Sequence, residues 1–184
     1  MNMTIFGRFM AAMAAVAVLA ACSPQFNWRQ VQLEHTGLPA MLPGQPVTSH
    51  RPLQFEQFTL DFYLTTATAG GQIYTVGHAL LPAQLQQDAA ARERLYQAVH
   101  ASLRQKFLPA ELIPGQAPPP LPAPGKIFSM GRDIGGTALR MQGMVRVEPG
   151  WLVEGFVMTD SGVAPDAEQA AIFFDALARL SDRP

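Results

Sequence analysis

The chain has 184 residues, 13 Lys and Arg against 14 Asp and Glu, a formal net charge of −1 and 48% hydrophobic residues. This balance gives no basic footprint for nucleic acid and no polybasic patch for a membrane surface. A single cysteine excludes any disulfide within the chain, so packing alone must hold the fold.

Met1 to Arg8 carries a free amino terminus and Arg8 but no acid, and Phe9 to Ala21 then runs apolar without a break. A run of about 13 residues is shorter than the roughly 20 that span a bilayer, so it reads as the apolar part of a secretory signal. Leu19, Ala20, Ala21 and Cys22 resemble the bacterial lipobox. The resemblance implies recognition of Leu19, Ala20 and Ala21 by a signal peptidase, cleavage before Cys22 and diacylglycerol on its thiol, usually with an acyl chain such as palmitate on the new amino group. Two or more chains, at about 0.8 kcal/mol per buried CH₂, hold a protein stably on a membrane. In that family aspartate after the cysteine often retains the protein at the inner membrane. Ser23 stands there instead, which favours the outer membrane with the domain facing the periplasm. The alternative is a cleaved secretory signal with the cysteine merely nearby. The expected division is a signal peptide over 1–21, a lipidated tether over 22–27 and one globular α+β domain over 28–184.

Removing the signal leaves about 163 residues, enough for one core. Asn27 to Leu33 reads as a first strand, and Leu42 to Pro46 as a loop on Pro and Gly punctuation. Phe58, Leu60, Phe62 and Leu64 alternate with polar residues, the period of a half-buried strand. Ala69-Gly70-Gly71 supplies a turn, and Ile73 to Leu80 resumes as a strand apolar on both faces, making a hairpin. Leu85, Leu95, Tyr96, Val99 and Leu103 then recur at helical spacing, predicting a helix over Asp88 to Lys106 that stops at Pro109. Six prolines between Pro114 and Pro124 make 109–125 an extended surface connection, or else a linker between two small domains.

Strands are expected over Lys126 to Gly131, Ala138 to Val147 and Trp151 to Thr159, the last two joined at Glu148-Pro149-Gly150. Pairing Val147 with Trp151 sets Leu139, Met141, Val145 and Val147 on one face with Trp151, Val153 and Val157. It sets Arg140, Gln142 and Arg146 on the other with Leu152, Phe156 and Met158. A one-residue shift would bring Glu154 opposite Val145, so the pairing that avoids this is expected. It also places Gly143 opposite Gly155, leaving room for Phe173 or Phe174. Asp166 with Gln169 three residues on is a capping-box signature for a last helix with Ala170, Phe173, Phe174, Leu177 and Leu180 on one stripe.

The order of these elements, with Leu42-Pro43-Gly44-Gln45-Pro46 and Ile172-Phe173-Phe174-Asp175-Ala176-Leu177, resembles the fold of PsbP and the Mog-type Ran-binding proteins. That resemblance implies an antiparallel sheet with helices packed on both faces. The start of the mature chain, Cys22-Ser-Pro-Gln-Phe-Asn-Trp-Arg, is similar to that of proteobacterial lipoproteins. Neither likeness carries an active site.

His35, His50, His78 and His100 lack metal-ligand spacing, and no nucleophile elbow, phosphate loop or second thiol occurs. The sequence therefore designates no catalytic residue, metal ligand or cofactor. Arg140 and Arg146 are a candidate surface for an acidic partner or a lipid headgroup, against an ordinary solvated strand edge. Met130, Met141, Met144 and Met158 read as core fillers. The leading expectation is a non-catalytic envelope lipoprotein, anchored through Cys22, that binds or supports another envelope component. One alternative is a hydrolase or transferase with a cleft built from His78 and Asp61. The other is a carrier of a hydrophobic ligand held between the sheet and the helix Asp88 to Lys106, which requires a sizeable apolar cavity.

Overall fold

The computed structural model describes residues 25–107 and 120–182. The lipobox positions Leu19, Ala20, Ala21 and Cys22, Pro109 and much of the proline-rich connection lie outside the described residues. The chain is mixed α+β, with a six-stranded antiparallel sheet in the order β3-β4-β5-β8-β7-β6. Its strands are β3 (Val47–Phe55), β4 (Phe58–Ala69), β5 (Gln72–Leu80), β6 (Phe128–Ile134), β7 (Thr137–Val147) and β8 (Trp151–Thr159). A separate ribbon pairs β1 (Arg29–Gln32) with β2 (Pro39–Leu42). The helices are α1 (Ala83–Gln87), α2 (Ala89–Phe107) and α3 (Ala167–Ala178), the last running into a 3₁₀ turn over Arg179–Asp182.

Alternation along the strands divides the apolar residues between two faces, each with its own core. On one face α2 lays Ala91, Leu95, Val99 and Leu103 over Met141 and Val145, with Phe62 and Phe156 in the same cluster. On the other, α3 sets Phe173, Phe174 and Leu177 against Tyr74, Val76, Val153 and Val157, and the ribbon closes that layer with Leu33, Ala40 and Leu42. Arg104 and Lys106 sit in the last turn of α2, where the helix dipole favours positive charge.

The described start of the chain is fastened to this second layer. Trp28 Nε1 donates to Gln169 Oε1 at 2.9 Å, Phe26 stacks on Trp28, and the Phe26 ring occupies the space a side chain at Gly70 would need. Gln169 therefore does not reach back as a capping box predicts. Asp166 caps α3 by accepting from the Gln169 amide, and the Asp166 amide donates to Gln72 Oε1 at 2.8 Å instead. The predicted helix over Asp88 to Lys106 is α2, entered through Asp88, whose carboxylate accepts from the Ala91 amide at 2.9 Å. Strands β2 and β3 were not expected. β3 is polar on both faces for most of its length, which hides it from a periodicity argument.

The expected β7–β8 register is overturned. Val147 pairs with Leu152, not Trp151, and the whole β7–β8 ladder is shifted by one residue. Arg140, Gln142 and Arg146 therefore share their face with Thr159, Val157 and Val153, and Glu154 does lie opposite Val145. The cause is the turn: Glu148 and Trp151 exchange backbone hydrogen bonds of 2.9 and 3.3 Å and close a two-residue loop over Pro149-Gly150. Gly143 and Gly155 are consequently not opposite and serve different faces. Gly143 makes room for Phe128 and Phe156, whereas a Cβ at Gly155 would stand 2.3 Å from Leu177 Cδ1 and 3.1 Å from Phe173 Cε1. Gly155→Val should lower stability by about 1–3 kcal/mol through overpacking against α3, read from the urea midpoint; an unchanged midpoint would contradict this packing.

Candidate functional site

Five inter-strand spacings of about 4.8 Å make the sheet roughly 24 Å wide, whereas a helix with its side chains is about 10–12 Å across. α2 lies over β7 and β6. The β3–β4–β5 half of that face keeps α2 only as a side wall, and an apolar trough of about 410 Å³ opens there. Leu53, Phe62, Leu64, Phe156 and Met158 form its floor, and Val99, Leu103 and Phe107 its helical wall. This size falls within the usual range of small-molecule sites.

Two kinds of charge interrupt the apolar lining. Arg51 and Lys106 are exposed and stand on opposite walls, from β3 and α2; the Arg51 guanidinium lies 5.4 Å from the centre of the Phe62 ring. Glu154 is 6% exposed in the middle of β8. Its partner across β5 is Gly77, where a Cβ would stand 2.7 Å from Glu154 Cγ and 2.5 Å from Phe62 Cζ. The glycine thus creates the space into which the acid folds. Among the described residues the Glu154 carboxyl makes no hydrogen bond or ion pair. Burial pushes it up to about 7, with Arg51 and Lys106 pulling the other way. An isolated acid in an apolar site, able to exist in either protonation state near neutrality, is the kind of group that meets a ligand.

A second cluster gathers three of the four histidines. The Tyr63 ring stacks with His35 at 4.4 Å and His78 at 5.5 Å, and meets His50 at 4.8 Å. Asp61 accepts from or faces His50 Nε2 at 3.2 Å, not His78. His78 is fully buried, its Nδ1 is 3.4 Å from Thr36 Oγ1, and its Nε2 has no hydrogen-bond partner among the described residues. The cleft imagined from His78 and Asp61 is therefore not assembled. His100 is likewise sealed, edge-on to Tyr96 and Phe128. Among the described residues no group of three or more metal-binding side chains is arranged to hold an ion.

Arg140 and Arg146 are both engaged internally. Arg140 pairs with Asp133 at 2.9 Å across the sheet edge. Arg146 pairs with Glu148 at 2.7 Å, donates to the Ala178 carbonyl at 2.9 Å and lies over Trp151. Arg146 thereby ties the end of α3 to the β7–β8 turn. The trough residues Glu154 and Gly77 were not singled out by the sequence reading. Their signal is the one acid in β8 and the one glycine in β5, two strands buried along most of both faces. No protein-family model, curated protein or solved structure matches this chain.

Buried titratable groups give opposing pH dependences. Burial first, and a neighbouring positive charge second (His35 for His78, Arg104 for His100), lower both imidazoles from 6.5 to about 4. The unfolded chain takes up those protons between pH 6.5 and 4 while the fold excludes them, so this stability is lost as pH falls through that window. Glu154 acts the other way: its unfolded carboxyl ionises near 4.5 and its folded one near 7, so stability declines as pH rises between them. Glu154→Gln should match the wild-type melting temperature at pH 4.5 and exceed it by about 5 °C at pH 8.5. Equal melting temperatures at pH 8.5 would show that the acid is not held in an apolar site.

Proposed function

We propose that this protein is a lipid-anchored envelope protein that acts by binding, holding a hydrophobic ligand in the trough beside α2. The observation that carries the reading is the 410 Å³ apolar trough with the buried Glu154 at its floor. The anchor is Cys22 in its lipobox-like context, with diacylglycerol on the thiol and the outer membrane as the favoured location. The two packed faces support the likeness to the PsbP and Mog-type fold, whose members mostly serve as binding or assembly subunits.

The start of the described chain supports a link between anchor and trough. Phe26 sits on Gly70 in the β4–β5 turn, and Ile73 and Met158, at that same end of the sheet, line the trough. A lipid on Cys22 would hold this end toward the membrane. Ligands dissolved in the bilayer then have the shortest route to the site.

Two measurements test the reading. Membranes washed in high salt should retain the wild-type protein, while Cys22→Ala should be recovered folded in the soluble fraction; tight retention of the variant would refute the anchor. The uncharged dye N-phenyl-1-naphthylamine should bind Cys22→Ala. Adding Leu64→Trp, which fills the trough, should weaken that binding about tenfold, equivalent to about 1.4 kcal/mol. Unaltered dye affinity would refute the trough as the binding site.

A further inference from the structure

We infer that the trough is built for a single-chain fatty-acid anion, its tail along Phe62, Leu64 and Phe156 and its head between Arg51, Lys106 and Glu154. This rests on the reading of the trough as a ligand site and names what that site prefers. Charge complementarity carries it. The lining holds two cations, Arg51 and Lys106, and one acid, Glu154; both positive groups stand on the walls at solvent, whereas the acid is buried in a floor that is otherwise mainly apolar. An anionic head with one hydrocarbon tail matches that distribution, whereas a cationic amphiphile would place its charge against Arg51 and Lys106.

Glu154 makes the preference conditional on a proton. The groups that face it are Arg51 from β3, Phe62 from β4, Gly77 from β5, Val145 from β7 and Lys106 from α2; Arg51 and Lys106 are the charged ones among them. A neutral carboxyl can donate to the arriving head group, as a carboxylic acid does to a carboxylate. An ionised one repels it. Binding the anion therefore takes up a proton, and affinity falls as Glu154 ionises above neutrality.

The test uses the full chain carrying Cys22→Ala, so that its own acyl groups cannot compete, with 11-(dansylamino)undecanoic acid as the fluorescent probe. Decanesulfonate, which stays ionised at every pH used, is compared as competitor with decanol and decyltrimethylammonium. At pH 6 the sulfonate should displace the probe at about one tenth of the concentration the other two require. The double variant Arg51→Ala, Lys106→Ala should abolish that preference while still binding decanol. From pH 6 to pH 8.5 the wild-type affinity for decanesulfonate should fall about tenfold, and Glu154→Gln should hold its pH 6 affinity throughout. Decanol or decyltrimethylammonium competing as well as the sulfonate would overturn this assignment and leave the hydrophobic site standing. A chain that binds neither probe nor decanol would overturn both.

Discussion

β5 and β8 run antiparallel through the middle of the sheet, and their pairing joins strands from the two sides of the proline-rich segment. This seam sets the positions of Gly77 and Glu154, which face each other across it. It also aligns Tyr74, Val76, Val153 and Val157 for α3 on the opposite side. Both strands are buried on both faces, so a one-residue slip here would exchange the contents of the two cores. The trough, the buried acid and the seat of the last helix are all consequences of one register.

The two faces differ in how completely they are covered. α3 and the β1–β2 ribbon together close one side, and the chain start is pinned there through Trp28 and Phe26. The other side has α2 over only part of its width, with α1 contributing Leu85. A closed face and a half-open face on one sheet separate the work of holding the fold from that of presenting a surface. Deep burial of Phe173, Phe174 and Leu177 secures the first. The second is left free to carry side chains that the fold does not need, Glu154 among them.

Strong periodicity made much of the architecture readable. The β4–β5 hairpin, α2, β7, β8 and α3 follow from alternation, helical spacing and turn chemistry, because each buries one stripe against a neighbour. β3 was invisible because it is an edge strand with solvent-facing polar residues, fixed by its ladder to β4 and not by a pattern of its own. The β7–β8 register escapes the sequence pattern for a related reason: Glu154 lies opposite Val145, on a face that the pattern reserves for apolar residues. Hydrophobic patterning selects the register that buries no acid, and here the turn at Glu148–Trp151 imposes the other. The residue that defeated the pattern is the one that marks the candidate site, as expected where function sets local rules aside. The histidine cluster around Tyr63 could not be read either, since His35, His50 and His78 come from three separate segments.

The pinned chain start also has a mechanical side. A load arriving along the chain ahead of Gln25 meets the Phe26 ring on Gly70, the Asn27 amide's bond to the Pro43 carbonyl and the Trp28 bond to Gln169 before it reaches any strand of the six-stranded sheet. These contacts act as a strain relief: they yield first, and the seam between β5 and β8 is spared.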